Sequence, residues 1–228
     1  MAWQLANEPR PGRDTTWLKE YYSWIDSTSH FIHTLDNNHL VTTGSEGLEG
    51  TLKDSTIYFR THQLKYIDYI TFHLWPKNWG WFDAKNIEKT YGETEKKASE
   101  YIKRHLVFAR EMNKPVTMEE FGLPRDSEYC LPGTPVTARD KYYKKILGII
   151  YDSASTGSAI AGTNFWAWGG EGRPQRFDGK YQQGDPLVGD PFPEPQGLNS
   201  IFNSDSSTIE IIKNNAALMN SLNKRIRK

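Results

Sequence analysis

Apolar residues fall into two rhythms along this chain. Short apolar or β-branched runs, Met1–Ala6, Leu40–Thr43, Ile67–Phe72, Pro115–Met118 and Ala159–Trp166, carry strand signals. Longer segments between them repeat apolar positions at helical spacing. Over 14–35 these are Trp17, Leu18, Tyr21, Trp24, Ile25, Phe31 and Ile32; over 97–112 they are Tyr101, Ile102, Leu106, Ala109 and Met112. Tyr142, Tyr143, Ile146, Leu147, Ile149 and Ile150 mark a helix over 138–154, and Ile209, Ile211, Ile212, Ala216 and Leu222 mark a terminal one. A shorter helix is expected over Phe59–Tyr66. Strands alternating with helices predict an α/β fold with a parallel sheet.

Every strand candidate ends in residues able to do chemistry. Asn7-Glu8-Pro9, Gly44-Ser45-Glu46, His73, Glu119-Glu120 and the pair Trp166 and Trp168 stand at the exits. Active groups at the carboxyl ends of successive parallel strands are the layout of a (β/α)8 TIM barrel. No glycine-rich phosphate loop follows any strand, so a nucleotide-binding doubly wound sheet has little support. Five candidates fall short of the eight a closed barrel needs. The pattern therefore predicts one domain over 1–228 that is an incomplete barrel or an open sheet. The stretch Gly169–Ser207, crowded with Gly, Pro, Asp and Gln, reads as one long loop where ligand loops belong.

Composition removes several function classes. In 228 residues, 28 Lys and Arg balance 28 Asp and Glu, so no basic stripe recommends nucleic acid as a partner. No run reaches the roughly 18 apolar residues of a membrane span, and residues 1–30 lack a basic-then-apolar leader pattern. The chain is expected to be soluble, to carry no address and to have no membrane partner. Cys130 stands alone and is expected to be an inert packing residue. Aromatic residues make up 13% of the chain, with 8 Trp, and ring faces are natural platforms for sugars as well as core material.

Two glutamates focus the chemistry. Glu8 precedes Pro9, which delays the next helix and holds the carboxyl at the strand tip beside Asn7. Glu120 holds the same kind of position before Phe121-Gly122, and 112 residues, roughly three βα units, separate the two. On a barrel they would face each other across the mouth, and paired carboxylates are what glycoside hydrolysis requires. Each motif alone also fits a solvated strand end; together, in order, they point to a site. His73 is either a satisfied core residue or part of that site. Trp75, Trp79 and Trp81 in HLWPKNWGW favour a sugar groove. Trp166 would floor the site, although alternation makes one of Phe165, Trp166 and Trp168 core.

Other chemistries fare worse. Six scattered histidines include no HExxH, so no metal centre is expected. Asp185, Asp190 and Glu194 lack EF-hand spacing and read better as solvated loop carboxylates than as calcium ligands. No G-x-S-x-G elbow supports a serine hydrolase.

The segments WQLANEPRP (3–11), FHLWPKNWGW (72–81), VTMEEFG (116–122) and NFWAWGGEG (164–172) resemble the motifs of glycoside hydrolase family 5, a retaining clan with a (β/α)8 fold. The run at 184–212 resembles the last loop and helix of bacterial endo-β-1,4-mannanases within it. The resemblance covers essentially the whole chain. It implies that Glu8, after strand four, is the general acid/base, with Asn7 on the sugar 2-OH. It implies that Glu120, after strand seven, is the nucleophile, with Glu119 structural. His73, after strand six, would orient the catalytic face, and Trp166, after strand eight, would stack beneath the sugar. Where the family usually places a Tyr two residues after that His, this chain has Trp75, whose indole donates but does not accept. Met1 matches a position inside strand four, so the chain resembles the family's C-terminal portion.

The expectation is a retaining endo-β-1,4-mannanase acting on mannan-type polysaccharide, with carboxyls roughly 5 to 5.5 Å apart. Glu8 and Glu120 are its catalytic residues; Asn7, His73, Trp75, Trp79, Trp166 and Trp168 bind substrate, and no cofactor follows. Glu8 is expected to be held protonated by partial burial and a negative neighbour. An endoglucanase of the same clan and a non-catalytic polysaccharide-binding remnant are the alternatives. A remnant would expose sheet edges prone to association. The resemblance implies an extracellular or periplasmic site of action.

Overall fold

The structure is a computed structural model that describes residues 2–226; Met1, the first residue of the expected leading strand, lies outside them. The described chain divides into two compact units. One takes residues up to Leu74, Ile102–Glu119 and Gly157–Thr163; the other takes Trp75–Tyr101, Glu120–Thr156 and residues from Asn164 on.

The first unit is a set of parallel strands taken in chain order. Strand β1 (Ala2–Gln4) leads to helix α1 (Leu18–Leu35), strand β2 (Leu40–Thr42), helix α2 (Ser55–His62) and strand β3 (Ile70–Leu74). Helix α3 (Ile87–Met112) enters with its C-terminal part, followed by most of β4 (Val116–Phe121) and by β5 (Ile160–Thr163). β1 pairs parallel with β2, placing Ala2 opposite Leu40, and β3, β4 and β5 neighbour one another in that order. β4 and β5 are also parallel. Between β2 and β3, the Asp68 N–H donates to the Val41 carbonyl at 2.8 Å and the Thr42 hydroxyl to the Tyr69 carbonyl at 2.9 Å.

The apolar stripe of α1 explains the first core. Tyr21, Tyr22 and Ile25 pack with Val41, Ile57 and Ile67, and full burial of a side chain such as Ile25 contributes about 1.5–3 kcal/mol. Asp54 caps α2 by accepting from the Thr56 N–H at 2.7 Å. Beyond its other end, the Lys114 ammonium gathers the carbonyls of His62, Leu64 and Ile67, satisfying acceptors that the helix leaves open.

The second unit contains helix α4 (Thr137–Ser155), strands β6 (Trp168–Gly170) and β7 (Ile201–Phe202) and helix α5 (Ser206–Ile226). α4 turns Tyr142, Tyr143, Ile146, Leu147 and Ile150 inward. From the same helix, buried Arg139 donates to the carbonyls of Leu123, Leu198 and Ser200, while buried Arg125 pairs with Asp205. These guanidiniums satisfy loop carbonyls that no sheet ladder takes up. Cys130 is buried, and burial, helped by Asp190 and Asp178, pushes its thiol up to about 11.

Several elements differ from the sequence reading. Two short strands, β6 and β7, bracket the segment read as one loop, and they pair in parallel. The Trp-Gly-Gly of β6 gives no alternating apolar signal; its Gly169 instead lets the backbone lie against Ser200 and Phe202. The described residues thus carry seven strands rather than five. The helix expected over 97–112 begins ten residues earlier at Ile87, through a polar, Gly92-containing stretch without a strong apolar stripe. The short helix lies over Ser55–His62 rather than Phe59–Tyr66, started by its Asp54 cap. The last core strand stops at Thr163, short of Trp166. No helix among the described residues is long and apolar enough to cross a membrane.

Candidate active site

In the first unit, the end of β1 carries Glu8 into a backbone conformation that side chains seldom adopt. Its φ is 48°, in the left-handed region, immediately before a proline. Such a position holds roughly 1–3 kcal/mol of strain. The Glu8 N–H donates to the Gly44 carbonyl at 3.0 Å, and Gly44 has a positive φ of its own, 78°. A Cβ on Gly44 would collide with the Ala6 carbonyl oxygen and the Gln4 side chain. Glycine is what allows the two strand ends to approach this closely.

Two side chains approach the Glu8 carboxylate. His73, fully buried on β3, brings Nδ1 to 2.8 Å from Oε1. Arg10 lies 3.6 Å from Oε2 and forms an ion pair with Glu46, itself buried just past the end of β2. Burial raises the Glu8 carboxyl's pKa, but the His73 hydrogen bond and charge, together with Arg10, outweigh it and hold the group below its ordinary value. These donors favour the carboxylate, in the opposite sense to the expectation of a Glu8 kept protonated. Asn7, beside it, is exposed.

The unit boundary falls between Glu119 and Glu120. In the first unit, Glu119 accepts from the Tyr69 hydroxyl at 3.4 Å; burial and that carboxylate push the Tyr69 hydroxyl up to about 12. In the second unit, Glu120 accepts through Oε2 from the indole N–H of Trp75 at 3.2 Å. Trp75 is almost wholly buried, with its six-membered ring against Gly122. Trp166 is half-buried and donates its backbone N–H to the Phe121 carbonyl at 2.9 Å; its peptide bond to Ala167 is cis.

The remaining aromatic candidates separate. Trp79 is half-buried and packs on Trp81 at 4.8 Å and on Tyr101 at 5.0 Å between ring centroids, a cluster anchored on α3. Trp168 sits on β6, more than half exposed. The loop carboxylates weighed as calcium ligands are engaged by protein donors. Asp190 accepts from the backbone of Gly197 and Asn199 and from the Ser200 hydroxyl, Asp185 pairs with Arg176, and Glu194 accepts from Asn78 and Asn199. Sequence reading missed Arg10 and Gly122 as contributors. Arg10 stood two residues past Glu8, and Glu46 ended a strand, but nothing local announces that they pair across 36 positions.

The pattern of the family described as GH family 5 beta-mannosidase-like matches residues 1–224. Mannan endo-1,4-beta-mannosidase 4 of Solanum lycopersicum is 30% identical over 191 residues, covering 80% of this chain and 45% of its own. A glycoside hydrolase family 5 mannosidase from Rhizomucor miehei superposes with a TM-score of 0.85 at 33% identity, over 99% of this chain and 52% of that one. The endo-beta-1,4-mannanase from Thermotoga petrophila superposes at 0.64 with 26% identity, over 96% of this chain and 44% of its own. The chain thus spans about half the length of these relatives. Since the family pattern runs through all but its last residues, with a glutamate at each of two strand ends, the chain belongs to glycoside hydrolase family 5, among its β-mannosidase-like members.

Proposed function

We propose that this chain provides the two-glutamate chemistry of a retaining endo-β-1,4-mannanase acting on mannan-type polysaccharide. In this reading 1–228 form one catalytic region, and β1 to β5 correspond to strands four to eight of the family barrel. Glu120 attacks the anomeric carbon while Glu8 gives its proton to the departing glycosidic oxygen; Glu8 then takes a proton from the water that releases the sugar from Glu120. Asn7 contacts the 2-OH, Trp166 stacks beneath the sugar, and Trp79 and Trp168 extend the platform. His73 and Arg10 orient Glu8. The observation that carries the reading is that each glutamate has its own donor: His73 2.8 Å from Glu8, and Trp75 3.2 Å from Glu120.

A second reading has a specific observation in its favour. The Rhizomucor miehei mannosidase superposes far better than the Thermotoga petrophila endo-mannanase. This favours a site nearer to that mannosidase than to the endo-mannanase, and release of single mannosyl units is the outcome that would set it apart from endo-cleavage.

The test is release of reducing ends from soluble β-1,4-mannan, with soluble cellulose derivative as comparator and Glu120→Gln as blank. Mixed oligosaccharides from mannan, abolished by the substitution, are expected. Mannose alone would establish the second reading, and cleavage of the glucan instead would make the chain an endoglucanase. A folded chain that binds mannan without cutting it would overturn both hydrolytic readings in favour of a binding remnant.

A further inference from the structure

The close contact between Gly122 and Trp75 has no counterpart in the roles assigned so far. A Cβ built on Gly122 would lie 2.8 Å from Trp75 Cζ3, 3.2 Å from its Cη2 and 2.8 Å from the Trp166 carbonyl oxygen. Separations under 3 Å are not tolerated, and the Trp166 backbone is fixed by its own hydrogen bond to Phe121. A side chain at 122 would therefore displace the Trp75 ring. That ring is rigid and almost wholly buried, so its outer edge cannot move without moving the N–H on the opposite edge. The N–H is the group that meets Glu120 Oε2.

We propose that Gly122 is a positioning residue for Glu120, acting through Trp75, and that positions 75 and 122 form a coupled pair. The bare Cα at 122 gives the second indole ring its room, and the indole in turn holds one carboxylate oxygen with a donor that cannot take up a proton. A phenol ring at 75 lacks the outer ring that a methyl at 122 would strike, and its hydroxyl restores a donor. Trp75→Tyr made together with Gly122→Ala therefore relieves the contact with the indole, while the 2.8 Å approach to the Trp166 carbonyl oxygen remains. The inference rests on the reading of Glu120 as nucleophile.

The experiment compares Gly122→Ala, Trp75→Tyr, Trp75→Phe and the double variants Gly122→Ala/Trp75→Tyr and Gly122→Ala/Trp75→Phe, in mannan hydrolysis against pH and in thermal melting. Gly122→Ala is expected to lower kcat by about tenfold or more with KM little changed. Its acid limb should move to higher pH, because the carboxylate loses its donor. Trp75→Tyr in that background should recover part of kcat and move the limb back; Trp75→Phe should recover part of the melting loss but not the limb, the remainder belonging to the Trp166 carbonyl contact. Parental kcat and pH profile in Gly122→Ala, or strictly additive effects in both readouts, would overturn the proposal. Absence of hydrolysis by the unsubstituted chain would sink the functional reading instead. The melting cycle would then still decide the coupling: additive losses overturn it, and rescue supports it.

Discussion

His73 Nδ1 lies 2.8 Å from Glu8 Oε1, an imidazole with no solvent exposure pressed against the carboxyl that the proposed hydrolysis uses as its acid. The contact favours the carboxylate, so it works against the protonated form that the proposed reaction requires of Glu8. The alkaline limb of kcat/KM reports its loss. His73→Phe removes the donor, and that limb is expected to move to higher pH, while kcat falls through lost orientation. Glu8→Gln should lower kcat about 10²–10⁴-fold. An unmoved alkaline limb in His73→Phe would show that this contact does not set Glu8's ionisation.

Arg10 acts on Glu8 in the same sense and also forms an ion pair with the buried Glu46. Arg10→Met takes a guanidinium from a buried carboxylate, so unfolding in urea should show a loss of stability. Because Arg10 is half exposed, that loss should be about 1–2 kcal/mol rather than the 3–5 of a fully buried pair. The alkaline limb should again move up. Arg10→Lys keeps the charge but not the fork and is expected to fall between the two.

His62 gives the fold its own acid sensitivity. Its Nδ1–H faces the Tyr58 carbonyl at 2.9 Å, which leaves Nε2 to accept from the Thr43 hydroxyl at 2.9 Å. Burial moves its pKa from 6.5 down to about 4. The unfolded chain therefore takes up a proton that the folded chain refuses. The stabilisation is complete above about pH 6.5 and is lost as pH falls toward about 4. At pH 5 the deficit is about 2 kcal/mol. Urea unfolding of the parent and of His62→Gln at pH 7.5 and pH 5 checks this: the variant should lack this part of the pH dependence, and equal slopes would refute the assignment.

β1 is an edge among the described strands, with all three of its residues exposed; Leu40, opposite Ala2 on β2, and Leu35, at the end of α1, are exposed as well. A parallel edge beside apolar side chains invites pairing. Sedimentation is expected to show concentration-dependent association that Leu35→Lys/Leu40→Lys reduces without changing the far-ultraviolet spectrum. A monomer at every concentration would exclude it.

What the sequence made legible followed from local signals. Glu8 and Glu120 stood out because Pro9 and Phe121-Gly122 fix them at strand exits, and α1 and α4 because their apolar stripes are dense. What stayed hidden depends on long-range meetings. Glu8's ionisation was misjudged because its donor is 65 residues away, where a histidine after an apolar run looks the same whether it serves the core or the site. β6 carries two glycines and β7 is only two residues long, so neither shows an alternating pattern. The indole N–H of Trp75 was legible as a donor, but its partner Glu120 stands 45 positions away and leaves no mark in the indole's own neighbourhood.

The crossing at Gly44 also sets limits for anyone seeking to stabilise this chain. Replacing glycine by alanine is a standard way to reduce the freedom of the unfolded state, worth roughly 0.5–1 kcal/mol inside a helix. Gly92 in α3 and Gly148 in α4 have open space where a methyl would go and suit that treatment. At Gly44 the same exchange would push apart the two strand ends whose hydrogen bond holds Glu8 in its left-handed turn, so a thermostability screen blind to activity would reject that position for reasons that belong to the active site.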